Sequence, residues 1–523
     1  MQRNRREFLH DVGTGMLIAG MGAGLAGDMG ISSAFANDDD GRLRFGKFDR
    51  LVGMMQDVPA NKLQPKLIAM LKDGTTDSRE LIAAAALANA TTFGGQDYVG
   101  YHTEMSLVPA LQMGSELPKK RQWLPILKVV YRNSNRIQDS GLSQKRRLKK
   151  IEAAQIPDGA DEGQLLLKAS RTANMDDAEA VFATAMQKGS LHAFNKMLWA
   201  IQDSSNVHRF GIAHRAWELI DVVGEEHAHT LLRQCIRFCV DSEPGVQNWL
   251  KRRGHTEHPM RSHLKRTVEQ YKLLDRKLGT RRADDAWLLE MSEFVNAKTA
   301  NEAVDAVAAA IKEGIAPDSI AEALSLSANL SVLRQDQLNK DSWRAHGATA
   351  GVHASDAANA WRGMIRIASD RNKVMGLLVN AYHTGNAKSH SEYEPLPHDA
   401  DLAKIDAKDS AALLQSAESA IRKNDQRAAA AAIAVYGEQG HAARPVFDLM
   451  LKYAISEDGR LHAEKYYRTV VEEFATTSPT FRWRQLVSLA RVTASAYGYS
   501  VNDKKGFRAG GYEAACKSLG VDV

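Results

Sequence analysis

Apolar residues return every three to four positions along almost the whole chain, and that rhythm leaves few options other than a packing of helices. It predicts helices over residues 81–90, 103–113, 123–131, 176–186, 191–201, 215–223 and 229–240. The pattern resumes over 284–296, 300–312, 319–333, 356–368 and 373–383, then over 411–423, 427–436, 444–454, 462–474 and 481–497. Only 13 prolines occur in 523 residues, alanine is abundant, and runs of Val, Ile and Thr are rare, all of which favour helix over strand. Asp176, Asp284 and Ser319 stand where N-caps belong. Short turns such as Gly437-Glu438-Gln439-Gly440 and Ser456-Glu457-Asp458-Gly459 separate neighbours. The expected fold is all-α: a single body of helical hairpins, toroid-like or bundle-like, over residues 37–523.

Two polar stretches break the rhythm. Residues 243–283 are basic and read as a solvated loop and helix, and residues 384–408 read as a long surface loop. With Lys+Arg 68 against Asp+Glu 63, the excess of positive charge is too small to mark a nucleic-acid binder. Three cysteines cannot build a disulfide framework, and Cys235 and Cys239, four residues apart on one helix, read as buried thiols.

The first 36 residues read as an address. Arg5-Arg6 precede a short Gly- and Ala-rich apolar run, and Ala34-Phe35-Ala36 supplies a small-x-small cleavage site. Together they resemble a twin-arginine export signal, whose translocation machinery carries folded proteins, so a periplasmic or secreted location is expected. The run is too short and glycine-rich for a stable membrane span.

Histidine is the residue type that carries chemistry here, with 17 copies. Several open a helix after small or apolar neighbours: Gly100-Tyr101-His102, Ile212-Ala213-His214, Gly351-Val352-His353, Gln439-Gly440-His441 and Arg460-Leu461-His462. Ligands at the starts of separate helices can converge in a bundle, and imidazole suits Fe, Zn, Cu and Ni. No His-Glu-x-x-His or Cys-x-x-Cys motif is present. On a helix beginning near His462, Lys465 falls on the same face. His227-Ala228-His229 reads as an exposed helix end, and His255, His258 and His263 as solvated.

At the level of pattern, the chain from about residue 80 to 497 resembles the questin oxidase-like family. The segments that carry the resemblance are Gly351-Val352-His353-Ala354-Ser355-Asp356 with the Ala and Arg after it, Leu461-His462-Ala463-Glu464-Lys465-Tyr466, and the alanine-rich helix after Arg482. The resemblance implies a non-haem Fe(II) oxygenase, with four histidines and a carbamylated lysine around the iron. It assigns His353 and His462 as ligands and Lys465 as the carbamylated one. His102 and His214 fit the remaining positions, and His441 competes with His462. Tyr101 and Asp356 would orient ligands or substrate. The substrate implied is a small aromatic or quinone-like molecule that reacts with O2. The alternatives are a non-enzymatic helical-repeat binding protein and a metal-dependent hydrolase or lyase.

Overall fold

Twenty-three α-helices run through the described residues of the computed structural model, which are 41, 43–139, 148–334, 349–387, 393–407, 409–499 and 511–522. In chain order they are α1 (Asp49–Asp57), α2 (Ala60–Asp73), α3 (Ser78–Phe93), α4 (Tyr98–Glu116), α5 (Leu124–Gln138), α6 (Glu162–Arg171), α7 (Met175–Met186) and α8 (Ser190–Ile201). Next come α9 (Val207–Val223), α10 (Ala228–Arg253), α11 (Pro259–Tyr271), α12 (Asp285–Ala297), α13 (Ala300–Lys312), α14 (Pro317–Leu333), α15 (Ala350–Ile365) and α16 (Asp370–Asn386). The last are α17 (Asp399–Leu402), α18 (Ser410–Arg422), α19 (Gln426–Glu438), α20 (Arg444–Ala454), α21 (Arg460–Thr476), α22 (Trp483–Ala496) and α23 (Gly511–Leu519). Among the described residues there is no strand, only one isolated bridge between Arg281 and Ile315. The all-α, bundle-like expectation holds.

Alanine sets how closely these helices approach. Every residue of α3 from Leu81 to Phe93 is buried, the mark of a helix enclosed on all sides. Its Ala83–Ala86 run carries only methyl groups, which let neighbours approach closely. The Asp77 side chain caps α3 by accepting from the Glu80 backbone N–H at 2.8 Å. Thr299 and Glu302 form a reciprocal capping box on α13.

Around this core, four helices close into a ring: α4 packs on α9, α9 on α15, α15 on α21, and α21 back on α4. They lie far apart in sequence, and each carries a histidine in its N-terminal turns.

Several sequence readings need correction. The start of 243–283 is not a loop: α10 runs through Pro244 to Arg253, and α11 occupies Pro259–Tyr271. Its polar residues mislead because two of them pair inside the protein, with Arg261 donating to both carboxylate oxygens of Glu243 at 2.9 and 2.8 Å. Residues 384–386 belong to α16 and 399–402 form α17, while 388–392 and 408 lie outside the described residues. Asp284 caps α12, but α7 is capped by Asn174 in place of Asp176, and α14 begins at Pro317 ahead of Ser319. His227 and His229 are buried, not exposed: His227 packs edge-on against Phe45 and Phe48, and His229 stacks on Phe182. Cys235 and Cys239 are free and buried, as expected, and so is Cys516. Residues 1–36 lie outside the described residues. Among the described residues, no helix is long and apolar enough to cross a membrane.

Candidate metal centre

The four ring helices bring one histidine each to a common place. His102 of α4 faces His208 of α9, with ring centres 4.8 Å apart. His208 faces His353 of α15 at 5.8 Å. His353 faces His462 of α21 at 5.7 Å, and His462 returns to His102 at 5.4 Å. The circuit of imidazoles is closed, as is the circuit of helices behind it.

Each of these rings keeps an Nε2 shielded from solvent and without a hydrogen-bond partner. One unpaired buried nitrogen is a costly accident, since buried polar atoms are nearly always satisfied. Here four such nitrogens lie in one circuit. For His102 the tautomer is fixed: its Nδ1 lies 2.6 Å from the Tyr98 carbonyl, which can only accept. Nδ1 therefore carries the proton and the Nε2 lone pair is free, the usual arrangement of a metal-binding imidazole.

Electrostatics hold the rings neutral. Burial lowers His102 to about 2, His208 to about 3 and His353 to about 4, and it carries His462 well below the ordinary value. After burial, the positive charge of Lys465 is the next contributor at all four. Lys465, itself buried, is lowered to about 8 by burial, against the opposing pull of Asp356 and Glu464.

Local structure positions these groups. The Asn206 side chain accepts from the His208 backbone N–H at 2.9 Å and so starts α9 there. Asp97 caps α4 and is clamped by Arg136 at 2.7 Å. The first turn of α21 is pinned from α5 by Lys128, which pairs with Glu464 at 2.5 Å and donates to the Arg460 carbonyl at 3.1 Å. Arg460 has φ +51°, an uncommon backbone for a residue with a side chain, two positions before His462.

The rings do not form a closed coordination sphere as they stand. Among the described residues, no group of three or more His, Cys, Asp or Glu side chains is arranged to hold a metal ion. Imidazoles bound through nitrogen at about 2.1 Å would place adjacent ring centres about 4.5 to 5.2 Å apart. The observed 4.8 to 5.8 Å is therefore wider by about half an ångström on the longer sides. The ring spacing thus comes within about half an ångström of what imidazoles sharing one ion would need.

Two pockets flank the circuit. The polar one is lined by His208, His353, Lys465, Asp356, Arg215 and His214 among others, and its enclosed room is about 30 Å³, enough for one or two water-sized groups. Within it Asp356 accepts from the Thr469 hydroxyl at 2.8 Å, and burial raises its carboxyl above the ordinary range. The other pocket is mostly apolar and touches the circuit at His462.

The structure brings His102, His353, His462 and Lys465 together as expected. It does not bring His214 or His441. His214 sits two turns into α9, against Gly363, with Nε2 4.0 Å from Glu218, and it reaches only the wall of the polar pocket. The residue on α9 that joins the circuit is His208, which the sequence reading missed by starting the helix eight residues late. His441 lies in the exposed turn after α19, with Nε2 3.1 Å from the Gln439 amide oxygen. Tyr101 stacks on His102 at 5.0 Å. His383 of α16, also unforeseen, lies 5.6 Å from the Phe210 ring and has an unpartnered buried Nδ1.

No protein-family model matches this chain, and neither the curated proteins nor the solved structures hold a match.

Proposed function

We propose that this protein is an exported non-haem iron oxygenase acting on a small aromatic or quinone-like molecule. The observation that supports this most strongly is the closed circuit of His102, His208, His353 and His462, with four buried Nε2 atoms left without partners. A bound Fe(II) would supply the one-electron chemistry that lets O2 react with an organic substrate.

The chain's own part is to hold and neutralise. Burial keeps the imidazoles unprotonated at neutral pH, so no proton has to leave before they donate lone pairs. The Tyr98 carbonyl keeps the His102 ring in its donor tautomer. Lys465 has an amine that burial makes easier to deprotonate. Carbamylation, as the family resemblance implies, would form an N–C bond between Nζ and CO2, release two protons overall (one from the ammonium to free the amine, one as the carbamate forms) and turn a cation into a carboxylate. That reverses a local charge that would repel a metal cation, leaving the Arg215 guanidinium on the wall of the same pocket. Asp356, fixed by Thr469, faces that amine and offsets its charge while it is a cation. The pocket lined by His208, His353 and Lys465 has room for O2 or water beside the imidazoles.

The test is metal analysis of protein purified after native export, followed by O2 consumption with phenols and quinones. About one iron per chain, lost in His208→Ala and kept in His214→Ala, is the expected result. Zinc in place of iron, with hydrolysis and no O2 uptake, would favour a metal-dependent hydrolase. Folded protein that takes up no metal would leave only a binding role.

A further inference from the structure

On the far side of His462 from Lys465 lies a slot between α21 and α22, closed at one end by α20. Its walls are the rings of Tyr453 and Tyr466 and the side chains of Leu489 and Val492, and its floor is small, with Gly459 and Ala496 among the lining. Counted out through its open mouth, solvent included, the slot spans about 460 Å³, so an occupant would lie partly in the open.

The polar tips of the wall residues are already engaged. Tyr453 donates its hydroxyl to Glu418 at 2.9 Å, and the Tyr466 hydroxyl is 2.9 Å from Ser488 Oγ. What they turn toward the slot is therefore ring surface. Among the described residues no lysine or arginine lines it, and the carboxylate among them is that of Asp458. A site with apolar walls disfavours charge and accepts flat, uncharged molecules. The slot is also continuous with the metal-binding circuit, because His462 belongs to both.

We infer that this slot binds a flat, uncharged, mostly apolar organic molecule and delivers it to the His462 edge of the circuit, opposite the polar pocket. The reaction this would serve rests on the oxygenase reading, but the binding does not.

Equilibrium dialysis of the metal-free protein against 2-naphthol is the test. Ala496→Trp fills the slot at a half-buried position and is expected to weaken 2-naphthol binding at least tenfold, with cobalt uptake by the four histidines unchanged. His208→Ala is expected to do the reverse, losing cobalt and keeping 2-naphthol. Naphthalene-2-sulfonate should bind at least tenfold more weakly than 2-naphthol. Should Ala496→Trp fail to fold, photolysis of bound 1-azidonaphthalene in the unaltered protein gives the answer by mass spectrometry. Labels on 453–466 and 489–497 support the slot, and labels confined elsewhere overturn it. Equal 2-naphthol binding by Ala496→Trp and the parent would also overturn it. Cobalt uptake without 2-naphthol binding sinks this inference alone, and 2-naphthol binding without any metal uptake sinks the oxygenase reading alone.

Discussion

His208 and Arg209 are neighbours on α9, yet they enter two buried polar clusters of opposite character. Arg209 joins a charge cluster in which nearly every polar atom has a partner. Its guanidinium donates to the Ala200 carbonyl at 3.1 Å, the Cys239 carbonyl at 3.2 Å and the Ser242 hydroxyl at 2.8 Å. Beside it, Arg261 grips both oxygens of Glu243 and reaches Asp203 at 2.7 Å, and Arg171 holds Asp203 from the other side at 2.6 Å. Only Arg209 Nε is left over. His208, one residue earlier, belongs to a circuit in which all four Nε2 atoms are left over. The first cluster is complete within the chain and stabilises it. In the second, the Nε2 atoms find no partner among the protein groups described.

The contrast breaks first, and hardest, on the charge cluster. Glu243 is fully buried between Arg209 and Arg261. Glu243→Ala leaves buried guanidinium charge uncompensated and should cost about 3–5 kcal/mol in urea unfolding. Iron per folded chain should not change. A loss of metal without a loss of stability would merge the two clusters.

The histidine circuit should behave in the opposite way, gaining stability from an added ion. Metal at about a hundred times its dissociation constant is expected to raise unfolding free energy by about 2.7 kcal/mol. His208→Ala should abolish that gain. His214→Ala, on the same helix, should retain it.

Protons compete for the same lone pairs. The folded values of His208 and His353 lie far below the 6.5 of free imidazole, so the unfolded chain binds more protons than the folded one below that point. Stability of the metal-free protein is thus complete above about pH 6.5 and falls as pH drops toward the folded values. Each such histidine contributes a slope approaching about 1.4 kcal/mol per pH unit between pH 6 and 5. His353→Leu should flatten the measured slope by up to that amount. An unchanged slope would mean the ring is not held neutral.

How much of this was legible in the chain depends on which physical signal each residue gives. The helices showed in the period of apolar residues, because burial of one face leaves that trace. The idea of histidines in the first turns of separate helices was sound, and it located His102, His353 and His462. It failed on α9 because the helix was started at Arg215, after the apolar run that belongs to it. Asn206 was the missed signal: a polar cap two residues before His208 moves the start to Val207. Glu243 and Arg261 were illegible for a different reason. A buried ion pair and a solvated one use the same residue types, and only tertiary packing tells them apart. His383 gave no local signal, as it falls late in α16.

His441 is where the smallest effect is expected, and it sharpens the reading most cheaply. Its sequence neighbourhood, Gln439-Gly440-His441-Ala442, looks as much like a ligand segment as that of His462. The two part ways in where the nearest helix begins. At His462 the chain is already in α21 and turns the ring inward, whereas α20 does not begin until Arg444, leaving His441 in the exposed turn beside the Tyr436 ring at 4.8 Å. His441→Ala should change stability by no more than about 0.5 kcal/mol and leave metal content unaltered. His462→Ala should remove the metal. If His441→Ala alone lost the metal, the circuit would have to be redrawn through α20, and the closed ring of four helices would no longer explain it.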